Sequence, residues 1–242
     1  MPDIDSDPRA VRHGVARTPP PAYEPAMSEQ TIRVRDVFDD WARRGRAEGM
    51  ERGHGPTARQ GFDRLAASAG SRYLDIGCGN GYTVRWAAEA GARATGLDVS
   101  AEMINRAREA AASVDGVDFV CDAFPSSQLP ADTFDTVFSM EVFYYLDDLA
   151  AGLAAVRSLL RPGGRFACVV DFYGENEASH SWPTDLNLSL HLLSEAEWRA
   201  AMEDAGLHVV DQARLRAPLA SGETPTWKHR EGSLLTLAAR SA

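Results

Sequence analysis

Apolar residues at Val34, Val37, Phe38 and Trp41 keep the i, i+3, i+4, i+7 spacing of one helix face, which predicts an amphipathic helix over 31–44. Residues 45–55 break that pattern with Gly45, Gly49, Gly53 and Gly55 and read as a mobile loop. A second helix is predicted over 57–68, with Phe62 and Leu65 turned inward. From residue 72 the period alternates. Strand-length apolar runs fall at 72–76, 93–98, 117–121, 134–140 and 165–172, and helical segments at 81–90, 101–112, 148–160 and 194–205. Ser100 is a natural N-cap, Ser194 and Glu197 make a capping box, and Arg161-Pro162-Gly163-Gly164 stops the helix before it.

Alternation of this kind predicts an α/β fold, a doubly wound parallel sheet with helices on both faces. The end departs from it. Segments 207–216 and 233–239 both read as strands, joined by a turn-rich stretch with Gly222, Pro225 and Gly232 in which no helix fits. They predict a long hairpin, so that the last strand runs antiparallel to the rest. Residues 1–30, with Pro19-Pro20-Pro21 and Pro25, lack periodicity and read as a disordered or loosely docked arm ahead of a domain over 31–242. Met27 offers an alternative start directly ahead of the first patterned segment.

Composition narrows the class. A net charge of −10 argues against a nucleic-acid partner. No run reaches the roughly 18 apolar residues of a membrane span, and the N-terminus lacks a signal core. Cys78, Cys121 and Cys168 have no metal-type spacing; they read as buried free thiols of a reducing cytoplasm, and no metal is expected. Lys228 is the one lysine among arginines, a coding bias with no bearing on mechanism.

The candidate chemistry begins at Arg72-Tyr-Leu-Asp-Ile-Gly-Cys-Gly-Asn-Gly-Tyr-Thr83. Gly77, Gly79 and Gly81 alternate directly after a strand and before a helix, the arrangement in which backbone passes close to a ligand and free helical N–H groups face it. The turn lacks the G-x-G-x-x-G spacing that cradles a pyrophosphate. Asp75, just ahead of it, would repel a phosphate and suits a ligand with a cationic end. Asp98 closes the second strand, where a carboxylate accepts both hydrogen bonds of a ribose diol. Asp122, with the Ala123 backbone, follows the third strand and could read an adenine. The fourth strand brings Met140 and Glu141 to the carboxyl edge of the sheet.

The set D-I-G-C-G-N-G, G-L-D-V-S, C-D-A-F, F-D-T-V-F-S-M-E and L-L-R-P-G-G-R-F, in this order, resembles the class I S-adenosylmethionine-dependent methyltransferases over 57–240, nearest their small-molecule branch. The resemblance implies a seven-stranded, Rossmann-like sheet with a reversed last strand, and S-adenosyl-L-methionine as cofactor. It places Gly77, Gly79 and Gly81 under the methionine part, Asp75 near the amino end, Asp98 on the ribose, and Asp122 and Ala123 at the adenine. Val99, Met103 and Met140 complete the cofactor set. Where many relatives carry histidine after the fourth strand, this chain has Phe143-Tyr144-Tyr145.

Catalytic candidates are therefore His180, His54, Tyr144 and Tyr145. Residues 31–56 are expected to close over the cofactor as a lid, and 173–193 to form an acceptor-site insert. The partner is a small-molecule methyl acceptor, and the oligomeric state is open. A nicotinamide-dependent oxidoreductase and a non-catalytic S-adenosylmethionine-binding regulator are the rival readings.

Overall fold

The structure is a computed structural model describing residues 27–125 and 129–242. Most of the expected arm lies outside the described residues, but its last part does not: helix α1 spans Glu29–Arg43, capped by Ser28, whose side chain accepts from the Thr31 N–H. The glycine-rich segment is not a loop. After a turn at Gly45, helix α2 runs from Ala47 to Leu65, straight through Gly49, Gly53, Gly55 and Pro56. Helix propensity is a weak preference that tertiary packing overrides. Here Ala47, Thr57, Ala58, Gly61, Phe62 and Leu65 are buried along α2, which anchors both halves of the helix.

Strand β1 (Arg72–Ile76), helix α3 (Tyr82–Glu89), β2 (Arg93–Asp98), α4 (Ala101–Ala110), β3 (Val117–Cys121) and β4 (Phe134–Met140) follow. A 3-10 turn at Phe143–Tyr145 leads to α5 (Leu149–Leu159) and β5 (Leu160–Val170). Next come α6 (Trp182–Leu186), α7 (Glu195–Asp204), β6 (Leu207–Leu215), α8 (Trp227–Arg230) and β7 (Ser233–Arg240). Both expected caps form: the Ser100 side chain accepts from Met103 N, and Ser194 with Glu197 closes the capping box. The short α8 occupies the stretch in which the sequence pattern left no helix.

The seven strands are ordered β3-β2-β1-β4-β5-β7-β6, with β7 antiparallel to both of its neighbours and the other pairs parallel. This is the seven-stranded, mostly parallel sheet with a reversed last strand expected from the sequence. Side chains alternate across it. Leu74 and Ile76 of β1 join Val137, Phe166 and Trp198 on one face, while Tyr73 joins Phe62, Val84, Ile104 and Phe138 on the other. Strand order reverses between β1 and β4, and in open α/β sheets ligands bind at the carboxyl ends of the strands beside such a reversal. Here those ends bring Asp75, Asp98, Glu141 and Asp171 to one edge.

Candidate active site

A cavity of about 450 Å³ opens at that edge. Its floor is the turn after β1. Gly77, Gly79 and Gly81 all have positive φ (+73°, +53° and +76°), yet their surroundings differ. Gly79 lines the cavity, and a Cβ there would meet no protein atom within 4 Å; its N–H donates to Asp98 Oδ2 at 2.9 Å. Gly77 also lines the cavity, and its missing side chain makes room for Val142. Gly81 does not line it. A Cβ at Gly81 would stand 2.8 Å from the Phe119 ring, so this glycine serves the packing of α3 on the sheet rather than approach to a ligand.

Two carboxylates flank the turn. Asp98 also accepts from Ser100 N at 2.8 Å, so backbone donors on both sides fix its carboxylate. Asp75 is buried; one oxygen accepts from the Thr83 hydroxyl, and the other has no protein partner although the residue borders the cavity. Burial pushes Asp98 up to about 6 and, with the nearby Asp98 charge, pushes Asp75 up to about 7. An orphaned carboxylate oxygen and a side-chain-free cradle fit a ligand carrying positive charge and diol hydroxyls.

Val99, Met103, Asp122 and Met140 also line the cavity; Ala123 does not, its N–H being turned to Asp122 Oδ1 at 2.8 Å. Residues of 31–56 close one side. Asp39 of α1 holds the Ser100 hydroxyl, and Glu51 of α2 accepts from Asn80 Nδ2 at 2.7 Å, so both helices are fastened to the cofactor-side loops. From the 173–193 insert, Trp182, Asp185 and Leu186 reach the cavity. His180 does not: its Nε2 sits 3.1 Å from the Gly174 carbonyl, apart from the cavity.

The same cavity holds a charged cluster. Tyr144 donates to Glu141 Oε2 at 2.7 Å, and the Tyr144 and Tyr145 hydroxyls are 3.5 Å apart. Glu141 Oε1 accepts from the Asp171 N–H. Asp171, fully buried at the end of β5, pairs with Lys228 Nζ and His54 Nδ1, each at 3.4 Å. Lys228 further reaches the Gly53 carbonyl at 2.9 Å and His54 Nδ1 at 3.3 Å. His54, Glu141 and Asp171 could offer three ligand atoms within 4.8 Å of one another. The Lys228 ammonium already sits against Asp171 and His54 and supplies the cation they would share, so a metal does not fit this group.

Sequence reasoning named His54, Tyr144 and Tyr145 in this wall but passed over Asp171 and Lys228. A signal existed for each. Asp171 ends its strand as Asp98 ends β2, and the lone lysine was set aside as coding bias. Cys121, expected to be buried, is exposed.

Comparison with known proteins agrees with the architecture. Residues 74–168 match a family described as a methyltransferase domain. The chain is 39% identical over 108 residues to a ubiquinone biosynthesis O-methyltransferase of Aromatoleum aromaticum, covering 43% of this chain and 45% of that protein. The chain thus spans about half the length of the curated relatives it matches. Among solved structures, it superposes with a TM-score of 0.77 on a chain from the complex between the Haloferax volcanii Trm112 methyltransferase activator and the putative methyltransferase. That match is 36% identical and covers 85% of this chain and 98% of the other. Geranyl diphosphate C-methyltransferase of Streptomyces coelicolor, solved with Mg2+, geranyl diphosphate and S-adenosyl-L-homocysteine, shares the fold at 19% identity, with a TM-score of 0.64 over 78% of this chain and 80% of that one. The glycine turn, its flanking carboxylates, the sheet order and these likenesses lead to one assignment: the chain belongs to the class I S-adenosylmethionine-dependent methyltransferases.

Proposed function

We propose that the protein transfers a methyl group from S-adenosyl-L-methionine to a small-molecule acceptor bound in the same cavity. The observation that carries this reading is the Gly77–Gly79 turn set between the Asp75 and Asp98 carboxylates in a cavity that is also lined by aromatic rings and by Glu141. When bound, the cofactor supplies a methyl carbon made electrophilic by its sulfonium. Asp98 would hold the ribose hydroxyls, Gly77 and Gly79 the methionine part, Asp75 the amino end, and Asp122 the adenine. Of the catalytic candidates, His54, Tyr144 and Tyr145 have places on the wall, and His180 is set aside.

The rest of the chain excludes water and positions the two substrates. Such positioning contributes on the order of 7–11 kcal/mol in favourable cases. Residues 31–56 act as the cofactor lid and 173–193 supply part of the acceptor wall. Among the described residues no helix is long and apolar enough to cross a membrane; with free thiols at Cys78, Cys121 and Cys168, we place the protein in the cytoplasm.

Titration calorimetry with S-adenosylmethionine and with NADH tests the reading. The first is expected to bind with one site and the second not; the reverse would return the oxidoreductase. Affinity should also depend on pH. Asp75 and Asp98 take up protons as pH falls through about 7 and about 6. Their neutral forms attract a cationic, diol-bearing ligand less. Binding should therefore weaken from pH 8 to pH 5.5 and release protons near neutrality, seen as a binding enthalpy that varies with the ionisation enthalpy of the buffer. A flat profile would remove both carboxylates from the cofactor site.

A further inference from the structure

We propose that the wall built by Glu141, Tyr144 and Asp171 is an acceptor subsite that takes an uncharged or cationic compound bearing an N–H or O–H, rejects carboxylates and phosphates, and uses Glu141 to receive the acceptor's proton. This rests on the methyltransferase reading above and adds to it the charge class of the acceptor.

Position is the first argument. Glu141 directly follows Met140 at the end of β4, and a Cβ built on Gly77 would lie 2.1 Å from Val142 Cγ2. The Glu141–Val142 segment is therefore seated against the turn assigned to the methyl donor. Glu141 is also one of the few non-glycine residues with positive φ, at +62°. Left-handed backbone at such a residue is strained and persists where surrounding contacts enforce it. The enforcing contacts here are the Asp171 N–H on one carboxylate oxygen and the Tyr144 hydroxyl on the other. Two donors hold the group as an acceptor facing the cavity.

Elimination is the second argument. His54 Nδ1 is taken up by Lys228 at 3.3 Å and Asp171 at 3.4 Å, so that side of the ring is already committed. The Tyr144 proton is directed at Glu141, and burial with the neighbouring Glu141 charge raises Tyr144 well above the usual phenol range. Asp171 is committed to Lys228 and His54, whose contacts hold it low against the burial that would raise it. Glu141 remains. Burial and the Asp171 charge raise it well above the usual carboxylate range, while Tyr144, the Asp171 N–H and Lys228 oppose the rise. The other titratable groups facing it are Tyr82 of α3, Tyr145, and Cys168 of β5.

Charge balance is the third argument. Among the described residues, Lys228 is the one lysine or arginine lining the cavity, and its charge is spent on Asp171. Glu141 and Asp185 both line the cavity, so an anionic acceptor would meet like charge, with no free lysine or arginine among the described lining residues to answer it. The rings of Phe38, Tyr145 and Trp182 favour an apolar or cationic body. In the transfer, Glu141 receives the proton that the N–H or O–H releases as the methyl carbon forms its bond to that nitrogen or oxygen. The electron pair of the broken carbon–sulfur bond stays on sulfur.

The test uses the full chain saturated with S-adenosylhomocysteine and four ring probes: benzyl alcohol, benzylamine, benzoate and phenyl phosphate. Cofactor binding is read first by calorimetry, so that its failure would sink the methyltransferase reading before any probe is added. With the cofactor bound, the alcohol and the protonated amine are expected to bind, and both anions at least about tenfold more weakly. In Glu141→Gln the amine should lose its advantage over benzoate, while S-adenosylhomocysteine affinity stays within about twofold. The proposal is overturned if the anions bind as tightly as the amine, if no probe binds, if the variant behaves as wild type, or if it loses the cofactor.

Discussion

Asp98→Ala is expected to weaken S-adenosylhomocysteine binding by about 10²–10⁴-fold. A carboxylate accepting from two ribose hydroxyls makes two charge-assisted hydrogen bonds, each contributing about 1.5–3 kcal/mol net. Alanine removes both and also frees the Gly79 N–H, which Asp98 orients at 2.9 Å. Asn should be intermediate, because it keeps one acceptor oxygen but no charge. The same Asp98→Asn variant separates affinity from folding. Burial lifts the Asp98 carboxyl to about 6. A group whose folded value is raised contributes stability below its unfolded value and loses it as pH rises through the folded one. At pH 8 the buried Asp98 charge therefore works against the empty fold, and Asn should hold or raise the thermal midpoint while cofactor affinity falls. A large drop in both would assign Asp98 to structure rather than to the ribose.

Asp171→Ala carries the second large effect, and it falls on stability. The carboxylate is fully buried and faces Lys228 and His54 at 3.4 Å each. Deleting one member of such a set leaves charge with no partner, which costs about 3–5 kcal/mol when wholly buried. With the Lys228 side chain 20% exposed, water answers part of that charge, and the lower end, about 3 kcal/mol, is expected. Denaturant unfolding measures it. Adding Lys228→Met to Asp171→Asn should recover most of the loss, because both charges then leave together; no recovery would show that the pair is not coupled. The pH dependence runs opposite to that of Asp98. Asp171 is held below the usual carboxylate range, so its contribution is present above its unfolded value and fades as pH falls through the lower folded value.

The sheet was legible because it is written in period. Buried parallel strands are apolar runs bounded by glycine turns and serine caps, and among the described residues helices separate the five of them here except between β3 and β4. The reversed β7 was readable from two strands joined by a turn-rich stretch too short in helical pattern for a crossover, although that stretch also holds the four-residue α8. The placement of Asp75, Asp98 and Asp122 along one sheet edge was readable for the same reason, since each lies at or just after a strand and its position follows from the alternation. The wall of His54, Glu141, Asp171 and Lys228 was not. Glycines 49, 53 and 55 suggested a loop, because helix propensity knows nothing of the Glu51–Asn80 contact or of the buried face that holds α2 in place. Lys228 lies on a four-residue helix between β6 and β7 and meets His54 across 174 positions of sequence. No local pattern records such a pairing. His180 was chosen for residue type alone, and a loop histidine's direction is set by contacts that the sequence does not display.

A structure of the protein with S-adenosylhomocysteine bound would test the central claim most directly. The account predicts the ribose hydroxyls on Asp98, the amino group toward Asp75, and the sulfur turned across the cavity toward Glu141 and Tyr144. Cofactor bound with its ribose away from Asp98, or with its sulfur facing a wall other than Glu141 and Tyr144, would contradict it.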